Sequence, residues 1–206
     1  MNSKIALVFG ATGLTGSCLL NFLLKDSRYG KVKVFLRKKT DFPSDEKLEV
    51  HVVELSAPEN YSHLLQGDDL FCCLGTTIAV AGSKEAFRKV DFDLPVKIAE
   101  QASKNNVAAF IVVSSLGADS KSANFYLSKL GMNSLWSLPQ GYLETKGEME
   151  EAIQKFPFRK FSALQPSMLL GERKEFRFGE LIGKGLMQAL SFVFIGSLKK
   201  HKAIYA

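Results

Sequence analysis

Cysteine is scarce and unpatterned: Cys18, Cys72 and Cys73 are three in 206 residues, and two of them are adjacent. Such a set offers neither a disulfide framework nor metal-ligand spacing, so no metal is assigned. His51, His63 and His201 share no spacing and receive no catalytic or ligating role. Long apolar runs are also missing. The longest, over residues 187–195, falls well short of the roughly 20 residues that a helix needs to cross a bilayer. No secretory pattern precedes the first apolar stretch, because Met1-Asn2-Ser3-Lys4 leads straight into it. These absences together predict a cytoplasmic protein without a membrane span. The net charge is +6, yet lysines and arginines are dispersed, with no basic helix and no aromatic-basic alternation. Nucleic acid is therefore not the expected partner, and an anionic small ligand accounts for the charge more simply.

What is present is an ordinary globular composition, 46% hydrophobic and 23% charged, on a length that suits one domain over residues 1–206. Strand-like and helix-like runs alternate, which predicts a parallel sheet covered by helices. Strands are expected at 4–9, 32–36, 48–55, 69–74, 109–115 and 161–164. Helices are expected at 14–24, 84–104 and 142–156. Val90, Leu94, Ile98 and Ala102 recur at helical spacing, and Pro95 among them predicts a kink or a late start. Cys72 and Cys73 lie in an apolar strand pattern and are expected to be packing residues. Right-handed crossovers give a doubly wound α/β sheet of order 3-2-1-4-5-6, the Rossmann arrangement, with ligands beyond the carboxyl ends of the strands.

The first strand pattern ends in Gly10-Ala11-Thr12-Gly13-Leu14-Thr15-Gly16 and opens directly into a helix pattern. Three glycines spaced G-x-x-G-x-x-G suit a backbone that bends sharply, approaches a phosphate and packs a helix on a strand. Gly10, Thr12, Gly13, Leu14, Thr15 and Gly16 are the candidates for holding a dinucleotide, its phosphates facing the helix N–H groups. An NAD site calls for an acid about 20 residues further on. Here the second strand ends Phe35-Leu36-Arg37-Lys38-Lys39, so Arg37, supported by Lys38, is read as a clamp for a 2′-phosphate, favouring NADP(H) over NAD(H). Glu54 is placed to accept from an adenine amino group, with Leu55 against the ring; a surface glutamate is the plainer alternative. Leu74 and Gly75 let the chain pass close to the adenosine side. Thr76 and Thr77 either donate to ribose and phosphate oxygens or cap the next turn.

Ser114-Ser115 close the fifth strand, and Tyr142 precedes Lys146 by four residues, one helical turn, on one face. A nearby ammonium lowers a tyrosine pKa and makes the phenol a usable acid. Ser115 can donate to a substrate carbonyl. A surface helix pair is the bland alternative for Tyr142 and Lys146.

These blocks, with Phe71-Cys72-Cys73-Leu74-Gly75-Thr76-Thr77 and Ser114-Ser115-Leu116-Gly117-Ala118-Asp119, make the chain resemble the atypical branch of the short-chain dehydrogenase/reductase superfamily. More narrowly it is similar to the oxidoreductases related to the human Tat-interacting protein. The resemblance implies hydride transfer between NADP(H) and a small carbonyl or alcohol, with Tyr142 as acid/base and Ser115 orienting the substrate oxygen. It also implies Lys146 and Ser114 on the cofactor, and Gln165, Pro166 and Met168 against the nicotinamide amide. Where the family carries Arg-Pro-Gly this chain has Gln165-Pro166-Ser167, and residues 126–141 read as an insertion. That insertion contains Tyr126 and Lys129, an alternative acid pair at a different spacing. Residues 167–206 read as a small substrate-side segment, beyond which the family pattern continues with a further helix. Residues 176–195 pack on the core or wall the substrate pocket. Two other readings stay open: an NADP(H)-binding regulator or scaffold with little turnover, and a nucleotide-sugar epimerase-like enzyme. A protein partner or a homo-oligomer is compatible with either.

Overall fold

A computed structural model describes residues 3–121 and 141–167, together with the backbone of 169–170 and 204–205. The first strand, β1 (Lys4–Phe9), is fully buried from Ala6 onward because helices cover both faces of the sheet. Alternation along it splits the core in two. Leu7 and Phe9 join a cluster with Phe35, Leu70, Ile98, Met149 and Ile153. Ala6 and Val8 face the other way, onto Leu20 and Leu23 of helix α1 (Leu14–Lys25).

Strands β2 (Tyr29–Leu36), β3 (Leu48–Val52), β4 (Asp69–Cys72), β5 (Ala109–Val113) and β6 (Lys160–Leu164) complete a parallel sheet of order β3-β2-β1-β4-β5-β6. That is the expected order. Leu169–Leu170 and Ile204–Tyr205 form a separate parallel pair, β7 and β8. β2 starts three residues earlier than its apolar run, since Tyr29 pairs with Lys4 and its hydroxyl donates to buried Asp69 at 2.6 Å. β3, β4 and β5 stop short of the expected 55, 74 and 115. Each ladder ends where its neighbour ends: Leu36 faces Val52, Phe9 faces Cys72 and Val113 faces Leu164. Leu55, Leu74 and both serines thereby fall in loops at the carboxyl edge.

The expected helix over 84–104 is three pieces: α3 (Lys84–Arg88), a wide π turn (Lys89–Asp93) and α4 (Leu94–Lys104), following the one-turn α2 (Ile78–Ala81). Pro95 has no amide to donate, so it sits in the first turn of α4, and the Leu94 N–H closes the wider loop on the Lys89 carbonyl. Helix α5 (Tyr142–Gln154) ends two residues before the expected Phe156. The proposed insertion, the apolar segment at 176–195 and His201 lie outside the described residues, save that residue 141 is described.

Candidate functional site

The bend after β1 accepts only glycine at two points. Gly10 has φ +80°, and a Cβ there would stand 2.6 Å from the Cys73 carbonyl oxygen. At Gly16 a Cβ would stand 2.1 Å from the Gly10 oxygen, so the helix enters with backbone against backbone. The Gly13 N–H donates to the Gly10 carbonyl at 3.0 Å, closing the turn. No side chain caps α1, and no acid stands in its first turn. Its first N–H groups and positive end are left to an anion. Thr12 and Gly13 are exposed and Leu14 and Thr15 half-buried on this rim. β1 and β4 are also the pair at which strand order reverses, the place where such sheets bind ligands.

Arg37 and Lys38 emerge exposed just past β2, and neither joins an ion pair among the described residues. Glu54 is exposed and already engaged: the Ser56 hydroxyl donates to it at 2.6 Å and the Ser56 amide at 3.3 Å. Those bonds hold its carboxyl below the usual glutamate range. Leu55 is packed in the core, 4% exposed, because the chain turns inward there; little of it is left to face an adenine ring. Thr77 takes the capping role, its hydroxyl accepting from the Val80 amide at 3.2 Å. Cys72 is buried as expected, and burial pushes its thiol up to about 11.

Lys146 is 3% exposed, one turn along α5 from half-buried Tyr142, whose ring stacks on Phe87 at 5.2 Å. Its ammonium lies 2.7 Å from a carboxylate oxygen of Asp91, which is wholly buried in the π turn. The other Asp91 oxygen accepts the Thr76 amide at 2.8 Å. Burial by itself lowers the Lys146 pKa, but the Asp91 charge, followed by Tyr142 and the hydrogen bond that Lys146 donates to Asp91, outweighs it and holds the value above that of an ordinary lysine. A Cβ on Gly75 would come 3.3 Å from Asp91 and 3.7 Å from the Lys146 nitrogen, so this pair sits directly under the loop after β4.

Ser115 is half-buried in the loop after β5, and that loop lies flat on α5. The Asp119 amide donates to the Leu143 carbonyl at 3.3 Å, and a Cβ on Gly147 would stand 2.2 Å from the Ser120 nitrogen. The neighbouring Ser114 is 6% exposed, and its hydroxyl has no hydrogen-bond partner among the described residues. Past β6, the Gln165 amide donates to both Glu150 oxygens at 2.9 and 3.0 Å, and the Pro166 carbonyl accepts the Leu116 amide. Met168, Tyr126 and Lys129 lie outside the described residues. Beside Tyr142, a cleft of about 140 Å³ is lined by Ile78, Lys84, Phe87, Arg88 and Thr145 among others. Asp91 is the site residue that sequence reasoning passed over. The signal was there: 91, 95, 98 and 102 are spaced as one helix face, and all four are buried.

A family model described as NAD(P)H-binding matches residues 10–181. Protein HTATIP2 of Rattus norvegicus is 34% identical over 193 residues, 92% of this chain and 73% of that protein. Protein FMP52, mitochondrial, of Kluyveromyces lactis is 37% identical over 171 residues, 82% of this chain and 68% of the relative. Among solved structures, UDP-glucose 4-epimerase of Thermotoga maritima superposes with a TM-score of 0.67 at 15% identity, covering 91% of this chain and 63% of that one. The oxidoreductase ylbE of Lactococcus lactis gives 0.62 at 20% identity, covering 98% and 89%. The chain thus spans less than two thirds of the epimerase, and these two likenesses bear on fold alone.

The expected cytoplasmic location is corrected by the relatives: FMP52 proteins of Kluyveromyces lactis, Candida albicans and Saccharomyces cerevisiae are all named mitochondrial, at 31–37% identity. No helix among the described residues is long and apolar enough to cross a membrane. The glycine cradle, the uncapped start of α1 and the orphaned Ser114 hydroxyl together suit a bound nucleotide.

Proposed function

The chain belongs to the NAD(P)H-binding family, and from that premise we propose an NADP-dependent oxidoreductase of the short-chain dehydrogenase/reductase type acting on a small carbonyl or alcohol. The observation that carries this reading is the buried, charged Lys146, one turn from Tyr142 and beside Gly75 at the carboxyl edge of the sheet. A nicotinamide nucleotide, when bound, would supply or accept the hydride. The turn at Gly10 to Gly16 holds the diphosphate with α1 amides, and Arg37 with Lys38 clamps the 2′-phosphate, where a carboxylate would repel it. Gly75 lets the chain pass close to the adenosine side, Thr76 and Ser114 offer hydroxyls to the cofactor, and Lys146 would donate to ribose hydroxyls. Ser115 donates to the substrate oxygen, and Tyr142 delivers a proton to that oxygen in reduction or withdraws it in oxidation.

NADPH oxidation against a panel of carbonyls tests the proposal with native protein and Tyr142→Phe. Native turnover should fall about 10²- to 10⁴-fold in the variant, with NADPH affinity within a factor of about two or three (~0.5 kcal/mol). Nucleotide binding without turnover in either protein would overturn the enzyme reading in favour of a nucleotide-binding regulator. An epimerase-like activity, which would use the same Tyr142 and Lys146 pair, is the weaker alternative, because the epimerase likeness is one of fold at 15% identity.

A further inference from the structure

Asp91 ties together three elements. It belongs to the π turn, one carboxylate oxygen meets the Lys146 ammonium of α5 at 2.7 Å, and the other accepts the Thr76 amide from the loop after β4 at 2.8 Å. Both partners of the ion pair are buried, at 0% and 3% exposure. A second tether runs alongside, from Arg88 at the end of α3 to Glu148 of α5, with the Arg88 guanidinium also 4.0 Å over the Phe92 ring. A buried carboxylate and ammonium are each costly to desolvate, and removing either partner strands the other's charge.

We infer that Asp91 is a positioning residue: with one oxygen it anchors the Lys146 ammonium, with the other it pins the Thr76 backbone, and it thereby fixes the lysine beside Gly75 at the carboxyl end of β4. This rests on the nucleotide reading above. An ammonium has three N–H donors; one is spent on Asp91, and two remain for ribose hydroxyls. Asp91 lies inside the wide π turn, so the ion pair is made at the backbone irregularity itself. The titratable groups facing Lys146 are Asp91 from the π turn, Tyr142 from its own helix and Cys72 from β4.

The test uses the full chain, native and as Asp91→Asn, Asp91→Glu, Lys146→Met and the double variant Asp91→Asn/Lys146→Met. Unfolding of nucleotide-free protein is followed between pH 6 and 10. Asp91→Asn leaves a lysine buried without its counter-charge, so its folded pKa drops below the unfolded value and its stability deficit should shrink as pH rises. Lys146→Met leaves a lone buried carboxylate, and its deficit should shrink as pH falls. The double variant should be more stable than either single one near neutrality. NADPH affinity, read by fluorescence at pH 7 and pH 9, then separates positioning from scaffolding. Native affinity should change little between the two values, while that of Asp91→Asn should weaken about tenfold at pH 9 as Lys146 loses its proton. Asp91→Glu should restore the flat profile, and Lys146→Met should be weaker but flat. A flat Asp91→Asn profile, or a double variant no more stable than the singles, overturns the inference while leaving the nucleotide reading intact. Failure of the native chain to bind NADPH overturns that reading, and the inference with it.

Discussion

In the proposed NADP reading, the exposed Arg37 is the side chain that would set the nucleotide preference. It stands past the last residue of β2 with no counter-ion among the described residues, so its paired donors are open to a phosphate. Arg37→Asp should weaken NADP binding at least about tenfold and improve NAD binding, measured by titration calorimetry with each nucleotide, because charge-assisted bonds to an exposed phosphate contribute about 1.5–3 kcal/mol. Unchanged preference would remove Arg37 from that role. Other single residues were less legible. Glu54 and Leu55 looked alike as strand-end candidates, but one is held by Ser56 in solvent and the other is turned into the core. Sequence position cannot say on which side of the sheet edge a loop residue comes to rest.

At the level of elements, α5 carries the candidate acid and lysine and also receives the loop that carries Ser115. Gly147 makes that possible: alanine is the better helix former by about 1 kcal/mol, yet its Cβ would meet the Ser120 backbone at 2.2 Å. Gly147→Ala should therefore be net destabilising by up to about 2 kcal/mol in denaturant unfolding, since overpacking against backbone costs about 1–3 kcal/mol, and should lower turnover by displacing Ser115. The Tyr142–Lys146 spacing could be read along the chain because one helical turn relates the two residues. The Asp91–Lys146 contact could not, because it joins two elements far apart in the sequence. Pro95 announced an interruption without revealing its form.

In the whole molecule, the cradle at Gly10 and Gly16 and the loop after β4 meet only because β1 and β4 are neighbours at the reversal of strand order. Occupancy of that crevice should couple to global stability: NADPH at about 100 times its Kd should raise the unfolding free energy by about 2.7 kcal/mol. Thermal unfolding with and without NADPH checks this, and Gly16→Ala, whose Cβ collides with the Gly10 carbonyl, should lose the increment. The mitochondrial naming of the relatives belongs at this scale too, since composition bounds a compartment's redox state and says little more. By itself the sequence determined the parallel order, the glycine bend and the candidate Tyr142–Lys146 pair, because strand alternation, backbone freedom and helical spacing are local properties. Only the tertiary structure decided where each ladder ends, that Leu55 is core and that Lys146 is neutralised by Asp91. Those outcomes depend on which distant segments run out together or are buried face to face, and no window of residues carries that information.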